Sequence, residues 1–134
     1  PVTGRMKEEE RGMDINHLDW MYWSEWINNL SRFKYGVQLG TPSAGTFNLN
    51  CAYHGIPCVG YDNVKTQKVC HPMLSVGVGD IGNAKLLMNK LKNDSEFYNE
   101  CSKTAIKKYN ECFSENQYIY NMKKVIGEVI NETN

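Results

Sequence analysis

Residues 35–62 read YGVQLGTPSAGTFNLNCAYHGIPCVGYD, and this stretch decides the fold of the chain. A short extended run at 36–39 stops at Gly40, and the small, hydroxyl-rich residues 41–46 are typical of a loop that caps a helix. Residues 47–54 then fit a helix of about two turns that is apolar on both faces, which predicts that it is buried. Gly55 ends this helix, and the apolar run 56–60 has the pattern of a strand covered on both sides.

A strand, a short helix and a second strand joined this tightly predict a right-handed parallel crossover. In such units ligands bind at the carboxyl ends of the strands, where the helix N-terminus offers N–H groups to an anion. The loop before the helix carries Ser43, Gly45 and Thr46, whose hydroxyls and small size would let backbone N–H groups approach a phosphate or diphosphate. Composition leaves a simpler role open, because many loops of this kind merely cap a helix.

The composition predicts one soluble globular domain. The chain has 134 residues, and Lys+Arg and Asp+Glu are equal at 15 each, so no global field attracts nucleic acid or an anionic membrane and neither is expected as a partner. No apolar run reaches the roughly 20 residues that span a bilayer. Residues 5–11 are charged where a signal peptide needs an apolar core, so we expect a cytoplasmic protein without a transmembrane segment.

The N-terminal part predicts an arm followed by an aromatic helix. Residues 1–13 are charged, contain two glycines and lack periodicity, which indicates a flexible arm, with the domain itself spanning 14–134. A helix capped by Asp14 or Asn16 is expected to run to about residue 34, because apolar residues recur every three or four positions: Ile15, Leu18, Tyr22, Trp26, Leu30 and Phe33. Such a cluster is usually core, and a ligand-stacking or partner-facing role for Trp20 and Trp23 is the alternative.

The residues after the central unit predict one more strand and three more helices. Residues 63–71 are polar and are expected to cross as a loop or a single helical turn, and residues 73–78 are the third strand candidate. Asp80 is the predicted N-cap of a helix that ends near Asn93, after which a second helix begins.

A terminal helix completes the chain. One of its faces is apolar and carries Tyr118, Met122, Val125, Ile126 and Val129. The elements together predict an α/β protein with a small parallel sheet, flanking helices and a helix-rich C-terminal half. A partial sheet with an aromatic first helix and an apolar last helix would leave apolar surface exposed to solvent. We therefore expect this surface to be covered by self-association or by a partner.

The chain offers few groups for catalysis. His17, His54 and His71 belong to no recognisable nucleophile or metal motif, and for the last two a core role and a functional role both stay open. The cysteines are odd in number and scattered, which favours buried thiols in a reducing compartment over a disulfide or a metal site: Cys51, Cys58, Cys70, Cys101 and Cys112. No metal and no cofactor are predicted.

Residues 45–63, GTFNLNCAYHGIPCVGYDN, resemble a segment of GT-B glycosyltransferases in which a loop precedes a short helix ending in Ala-x-x-Gly-x-Pro-x-Val. Residues 52–59 match this ending here. Similar proteins continue with a strand, an Asp that opens a helix, here Asp80, and a helix pair, so the similarity spans roughly residues 24–130. In that family this is the later part of the C-terminal Rossmann-like domain, which binds the nucleotide-sugar donor. The resemblance thus implies a partial Rossmann-like domain.

The resemblance also implies a site, in which Ser43, Gly45, Thr46 and Asn50 face a nucleotide sugar. Many retaining members carry two glutamates eight positions apart that hold the donor, and the matching positions here are Pro42 and Asn50, neither a carboxylate. Because the early donor-domain strands and the acceptor domain are missing, we expect the donor-binding part of a transferase that moves a sugar to an acceptor. Such a part would be inactive alone, its partner being the missing domain or a second copy. The alternative is a non-catalytic protein-interaction module with a Rossmann-like fold.

Overall fold

The computed structural model of the chain describes residues 10–41 and 43–132. In this part a three-stranded sheet and six α-helices follow one another as α1 (Trp23–Leu30), β1 (Gly36–Gln38), α2 (Thr46–Tyr53), β2 (Cys58–Tyr61), α3 (Lys65–Cys70), β3 (Ser75–Val76), α4 (Ile81–Asn93), α5 (Ser95–Cys112) and α6 (Glu115–Glu132). A short 3-10 helix, Pro72–Leu74, precedes β3. Most of the predicted arm, residues 1–9, lies outside the described residues, as does Pro42.

The sheet is parallel throughout, in the order β1-β2-β3, which confirms the predicted α/β class. β2 is the central strand, and Val59 within it is 0% exposed, as its apolar sequence predicts. Pro57, which has no N–H to donate, stands just before the strand, and its carbonyl accepts the N–H of Gly36 at 2.9 Å.

The two faces of the sheet are built differently. One face packs its large side chains against α4 and α5 in a cluster of Val59, Tyr61, Leu74, Val76, Ala84, Leu91 and Cys101. The other face presents Gly36 and Gly60 to α2 and α3. A Cβ on Gly36 would lie 2.8 Å from Cys51 Sγ, and one on Gly60 would lie 2.7 Å from Gln67 Oε1. The two glycines therefore let α2 and α3 approach the strands closely.

Two aspartates begin the helices α4 and α5, and Asp80 does so where the sequence predicts it. The Asp80 carboxylate accepts the backbone N–H of Asn83 at 3.1 Å at the start of α4. The Asp94 carboxylate accepts that of Phe97 at 2.9 Å at the start of α5. Each bond satisfies one of the N–H groups that the first helical turn leaves without an acceptor.

The first helix is much shorter than its apolar spacing predicts. It begins at Trp23 instead of Asp14 or Asn16, and residues 14–22 form no helix or strand. The predicted stripe is exposed there at Ile15, Leu18 and Tyr22, so no packing supports a helix over these residues. The Glu25 carboxylate accepts the backbone N–H of Tyr22 at 3.0 Å and marks the actual start.

The segment between β2 and α4 also differs from its prediction. Residues 65–70 form the helix α3, where a loop or a single turn was expected. The third strand is reduced to Ser75–Val76, because Pro72 begins a 3-10 helix whose last residue donates its N–H to the carbonyl of His71 at 3.0 Å.

Four cysteines are buried, as predicted, and Cys112 is exposed, with all five present as free thiols. Hydrogen bonding to Cys51, followed by burial, holds the pKa of the Cys58 thiol well above its usual value. The side chains of Cys51 and Cys58 pack as small apolar groups behind Gly36.

The terminal helix stands apart from the core. α6 is confirmed as a helix of 18 residues, yet none of its residues is buried. Within residues 10–41 and 43–132, no helix combines the length and the apolar character that crossing a membrane requires.

Candidate functional site

A groove of about 390 Å³ runs along the outer face of α2, between α1 and α5. We call it the α2 groove. Its lining residues are Trp23 and Ile27 from α1, Thr46, Leu49, Asn50 and Tyr53 from α2, and Tyr109 from α5. The α2 residues share one face because their spacing of three and four follows the helical repeat.

Two polar side chains of α2 face the groove, Thr46 near the N-terminus of the helix and Asn50 one turn later. Asn50 is only 8% exposed. Its side-chain amide has no hydrogen-bond partner among the residues that the structure describes. Its amide atoms are not among the fully buried polar atoms that lack a partner, so they reach the open space of the groove, where a ligand can bond to them in place of water.

Aromatic rings form much of the remaining wall. Trp23 and Tyr53 are more than half exposed, and Tyr53 contacts Tyr109 edge to face at 5.4 Å between ring centroids. Burial, with a smaller contribution from Tyr53, raises the pKa of the Tyr109 phenol above its usual value. Its hydroxyl is therefore protonated at neutral pH and is able to donate a hydrogen bond.

The loop before α2 is held by its own hydrogen bonds. Ser43 Oγ accepts the N–H of Gly45 at 3.2 Å, and Thr66 Oγ1 donates to the carbonyl of Gly45 at 2.8 Å. Gly45 has a φ of 76°, and a Cβ there would overlap Thr66 Oγ1 and lie 3.0 Å from Val64. Glycine is therefore required to seat the loop against α3. The N–H groups of the first turn of α2, which follow Gly45, have no acceptor within the helix and point toward the loop.

The inner face of α2 carries a different polar cluster. Asn48 Nδ2 donates to Gln67 Oε1 at 2.6 Å, and Gln67 Nε2 donates to the carbonyls of Cys58 at 2.8 Å and Leu74 at 3.2 Å. His71 Nε2 lies 3.0 Å from the carbonyl of Asn48 and must carry the proton, because a carbonyl only accepts. This cluster joins α2, α3, β2 and the end of the 3-10 helix, which is a structural role.

Burial decides the charge of the histidine in this cluster. Asn48 and Gln67 are 0% exposed and His71 is 2% exposed. Burial lowers the pKa of His71 to about 4, and its hydrogen bond to Asn48 offsets only part of that shift. In the described chain, Asn48 Oδ1 and His71 Nδ1 have no hydrogen-bond partner. The imidazole is therefore neutral at physiological pH, and His71 is a core residue.

The four site residues named from the sequence fall into two groups. Thr46 and Asn50 line the α2 groove together. Ser43 and Gly45 bond to each other in the loop and are not among the residues that line the groove. Their role toward a nucleotide sugar stays a prediction. Pro42, which stands where the resemblance would place a glutamate, lies outside the described residues.

The sequence reasoning missed most of the groove wall. Tyr53 could have been found, because it lies seven residues after Thr46 and three after Asn50 on the same helical face. Trp23 was singled out only as an alternative to core packing. Ile27 and Tyr109 carry no local signal, because only the packing of α1 and α5 against α2 brings them to this place.

Comparisons with known proteins return no match: no family model, no curated protein and no solved structure is similar to the chain. The likeness to GT-B glycosyltransferases therefore depends on the residues quoted above. Among residues 10–41 and 43–132, no group of three or more His, Cys, Asp or Glu side chains is placed to hold a metal ion.

Proposed function

We propose that the chain binds a nucleotide sugar in the α2 groove, as the donor-binding part of a glycosyltransferase. The observation that carries the proposal is Asn50, a nearly buried residue whose side-chain amide reaches the groove and has no partner in the described part of the chain. An asparagine amide offers both donors and an acceptor, which suits the hydroxyls of a sugar or the edge of a base.

The size and the walls of the groove support a ligand of this class. About 390 Å³ lies within the range of small-molecule sites, which are mostly apolar with a few placed polar groups. The rings of Trp23, Tyr53 and Tyr109 offer faces and edges on which a base or the apolar side of a sugar can pack. Thr46 and Asn50 supply the polar contacts.

The position of the groove relative to α2 supports a phosphorylated ligand. Thr46 is the first residue of the helix, where the helix dipole favours negative charge. Asn50 and Tyr53 follow along the same face over about 10 Å of helix, at a rise of about 1.5 Å per residue. A diphosphate at the start of α2 would thus leave its nucleoside or sugar alongside Asn50 and the aromatic rings.

The groove has no group that would perform the transfer itself. Among the described residues its lining contains no histidine, carboxylate or lysine, the side chains that most often serve as general acid or base. Transfer also requires an acceptor held in line with the anomeric carbon, a task for which a single donor site is insufficient. We therefore assign donor binding to these residues and expect no glycoside formation from the isolated chain.

The experiment is a calorimetric titration of the chain with UDP, GDP and ADP and with their glucose conjugates. We expect one of these series to bind, and Asn50→Leu to weaken that binding about tenfold, because a hydrogen bond between an amide and a ligand is lost in a partly desolvated site. The matched control is Asn99→Leu, which makes the same change on an exposed face of α5.

The titration has two outcomes that would contradict the proposal. One is the absence of binding to the wild-type chain for every nucleotide at millimolar concentration. The other is an equal loss of affinity in Asn50→Leu and Asn99→Leu, since a contact at the groove requires the two variants to differ.

A second candidate, a non-catalytic protein-interaction module, has one specific observation in its favour. α6 has no buried residue, and its apolar face is exposed at Tyr118, Ile119, Met122, Val125 and Ile126. An exposed apolar face of this length is typical of a surface that another chain covers. The partner to test first is a second copy of this chain.

Sedimentation velocity over a concentration series tests this candidate. If α6 mediates association, Ile126→Lys will shift the chain toward monomer, because a charge placed within an apolar interface is unfavourable. Asn131→Lys adds the same charge to the opposite side of the helix and should leave the distribution unchanged. A wild-type chain that sediments as a monomer at every concentration would contradict self-association.

A further inference from the structure

We infer that His54 is a positioning residue of the α2 groove, which holds the α1 wall in place and orients the ring of Tyr53. The inference rests on the proposed function of the groove. It assigns a role to a histidine for which the sequence left a core role and a functional role equally open.

The first step is the hydrogen bond between His54 and α1. His54 Nε2 lies 2.8 Å from the carbonyl of Ile27, and because a carbonyl only accepts, Nε2 donates. The last four carbonyls of a helix have no partner within the helix. Those of Asn28, Asn29 and Leu30 accept from residues 31–33 that directly follow α1. The carbonyl of Ile27 is the one that bonds across the fold, to a residue 27 positions later.

The second step is that other contacts hold α1 only lightly. Leu30 is the one buried residue of this helix, and Trp26 meets Phe47 of α2 at 6.3 Å between ring centroids. Trp23 and Ile27 form the α1 wall of the groove. Trp23 is the first residue of α1, far from the buried Leu30, and Ile27 carries the carbonyl that His54 bonds. Loss of the His54 bond would therefore free the helix that carries this wall.

The third step is the contact of His54 with the opposite wall. The imidazole meets the ring of Tyr53 edge to face at 4.9 Å, and Tyr53 in turn meets Tyr109 at 5.4 Å. His54 thus lies against both sides of the groove, with a hydrogen bond to α1 and a ring contact to α2. The His54 side chain therefore sets the distance between the α1 wall, which contains Trp23, and the opposite wall, which contains Tyr53.

The experiment compares three variants by amide hydrogen exchange and by nucleotide titration. His54→Ala removes the donor, His54→Gln keeps an N–H that reaches the Ile27 carbonyl, and Tyr98→Phe is a control that removes another side-chain bond to a carbonyl, that of Lys34 at 3.1 Å. In His54→Ala we expect amide exchange in residues 26–30 to rise about fivefold and the affinity for the tightest-binding nucleoside diphosphate to fall by a similar factor. His54→Gln should restore the exchange within about twofold because it keeps the hydrogen bond, but it should restore the affinity only in part because it lacks the ring that contacts Tyr53. Tyr98→Phe should change neither.

The two readouts separate this inference from the proposed function. Unchanged α1 exchange in His54→Ala would overturn the inference whether or not a nucleotide binds. Faster exchange with unchanged affinity would also overturn it, because α1 would then move without affecting the site. If the wild-type chain binds no nucleoside diphosphate, the proposed function fails, and with it the positioning role at a ligand site.

Discussion

The two faces of α2 both carry a buried asparagine, but only the one on the inner face donates a side-chain hydrogen bond to another part of the protein. Asn48 on the inner face donates to Gln67 at 2.6 Å within a cluster that joins α2, α3, β2 and the end of the 3-10 helix. Asn50, two residues later on the outer face, has no side-chain partner in the described chain. A polar group that is bonded within the protein stabilises the fold, whereas one that reaches an open groove without a protein partner is available to a ligand.

The comparison teaches that one short helix serves structure and binding at once. Its inner face fits the sheet because Gly36 and Gly60 remove side chains from the strands beneath it. Its outer face is left to the groove because α1 and α5 flank it without covering it. Changes to the inner face should therefore alter stability, and changes to the outer face should alter binding.

The largest expected effect comes from adding volume on the inner face. A Cβ on Gly60 would lie 2.7 Å from Gln67 Oε1 and 3.1 Å from Asn48 Nδ2, so Gly60→Val must displace the buried amide pair. Overpacking together with lost buried hydrogen bonds should lower the free energy of unfolding by about 4 kcal/mol. Urea denaturation followed by circular dichroism measures this change.

The control for this variant is Gly77→Val. A Cβ at Gly77 meets nothing within 4 Å, so the added side chain has room there. Equal urea midpoints for the two variants would show that the inner face does not depend on the close approach of Gly60.

The next effect is a loss of stability in acid that depends on His71. Its pKa of about 4 lies below the usual 6.5, so the unfolded chain takes up a proton at a higher pH than the folded chain does. This contribution to stability is complete above pH 6.5 and is lost as the pH falls toward 4, by about 3 kcal/mol in total.

His71→Gln isolates this effect, because glutamine offers an N–H to the Asn48 carbonyl but does not titrate. Unfolding free energies of both proteins between pH 7.5 and 4 should diverge in their slope, with the wild-type chain falling more steeply. Parallel pH profiles would mean that His71 takes no part in the acid sensitivity.

A smaller effect compares the two asparagines directly. Asn48→Leu leaves Gln67 Oε1 buried without its donor and should lower the free energy of unfolding by about 2 kcal/mol. Asn50→Leu removes no bond within the protein and should change it by less than about 0.5 kcal/mol. Thermal denaturation of the two variants under the same conditions provides the measurement, and a larger loss in Asn50→Leu would reverse the comparison.

The sequence predicts the parts of this fold that local chemistry determines. Gly55 ends α2, Pro57 precedes β2, and Asp80 begins α4, each because its backbone preference or its capping carboxylate acts within a few residues. Apolar spacing alone was misleading at residues 14–22, because periodicity predicts a helix only where another element buries its stripe.

The candidate site was predictable only in part, for a related reason. Thr46 and Asn50 lie on a helix whose position the sequence indicates, so their shared face follows from the helical repeat. Gln67 was interpreted as part of a polar crossing segment and is in fact 0% exposed, because its partners come from α2, β2 and the end of the 3-10 helix. Tyr109 reaches the groove by a contact between distant parts of the chain, which no local pattern encodes.

The central claim is that the free amide of Asn50 receives a ligand, and the most direct measurement follows the side-chain amide resonances of the ¹⁵N-labelled chain during a titration with nucleoside diphosphates and their sugar conjugates. The account predicts that the Asn50 side-chain signals shift in a saturable manner, together with the backbone signals of Thr46 and Tyr53, while those of Asn48 and Gln67 on the inner face stay in place. Saturable shifts confined to other parts of the chain, with Asn50 unaffected, would contradict the account.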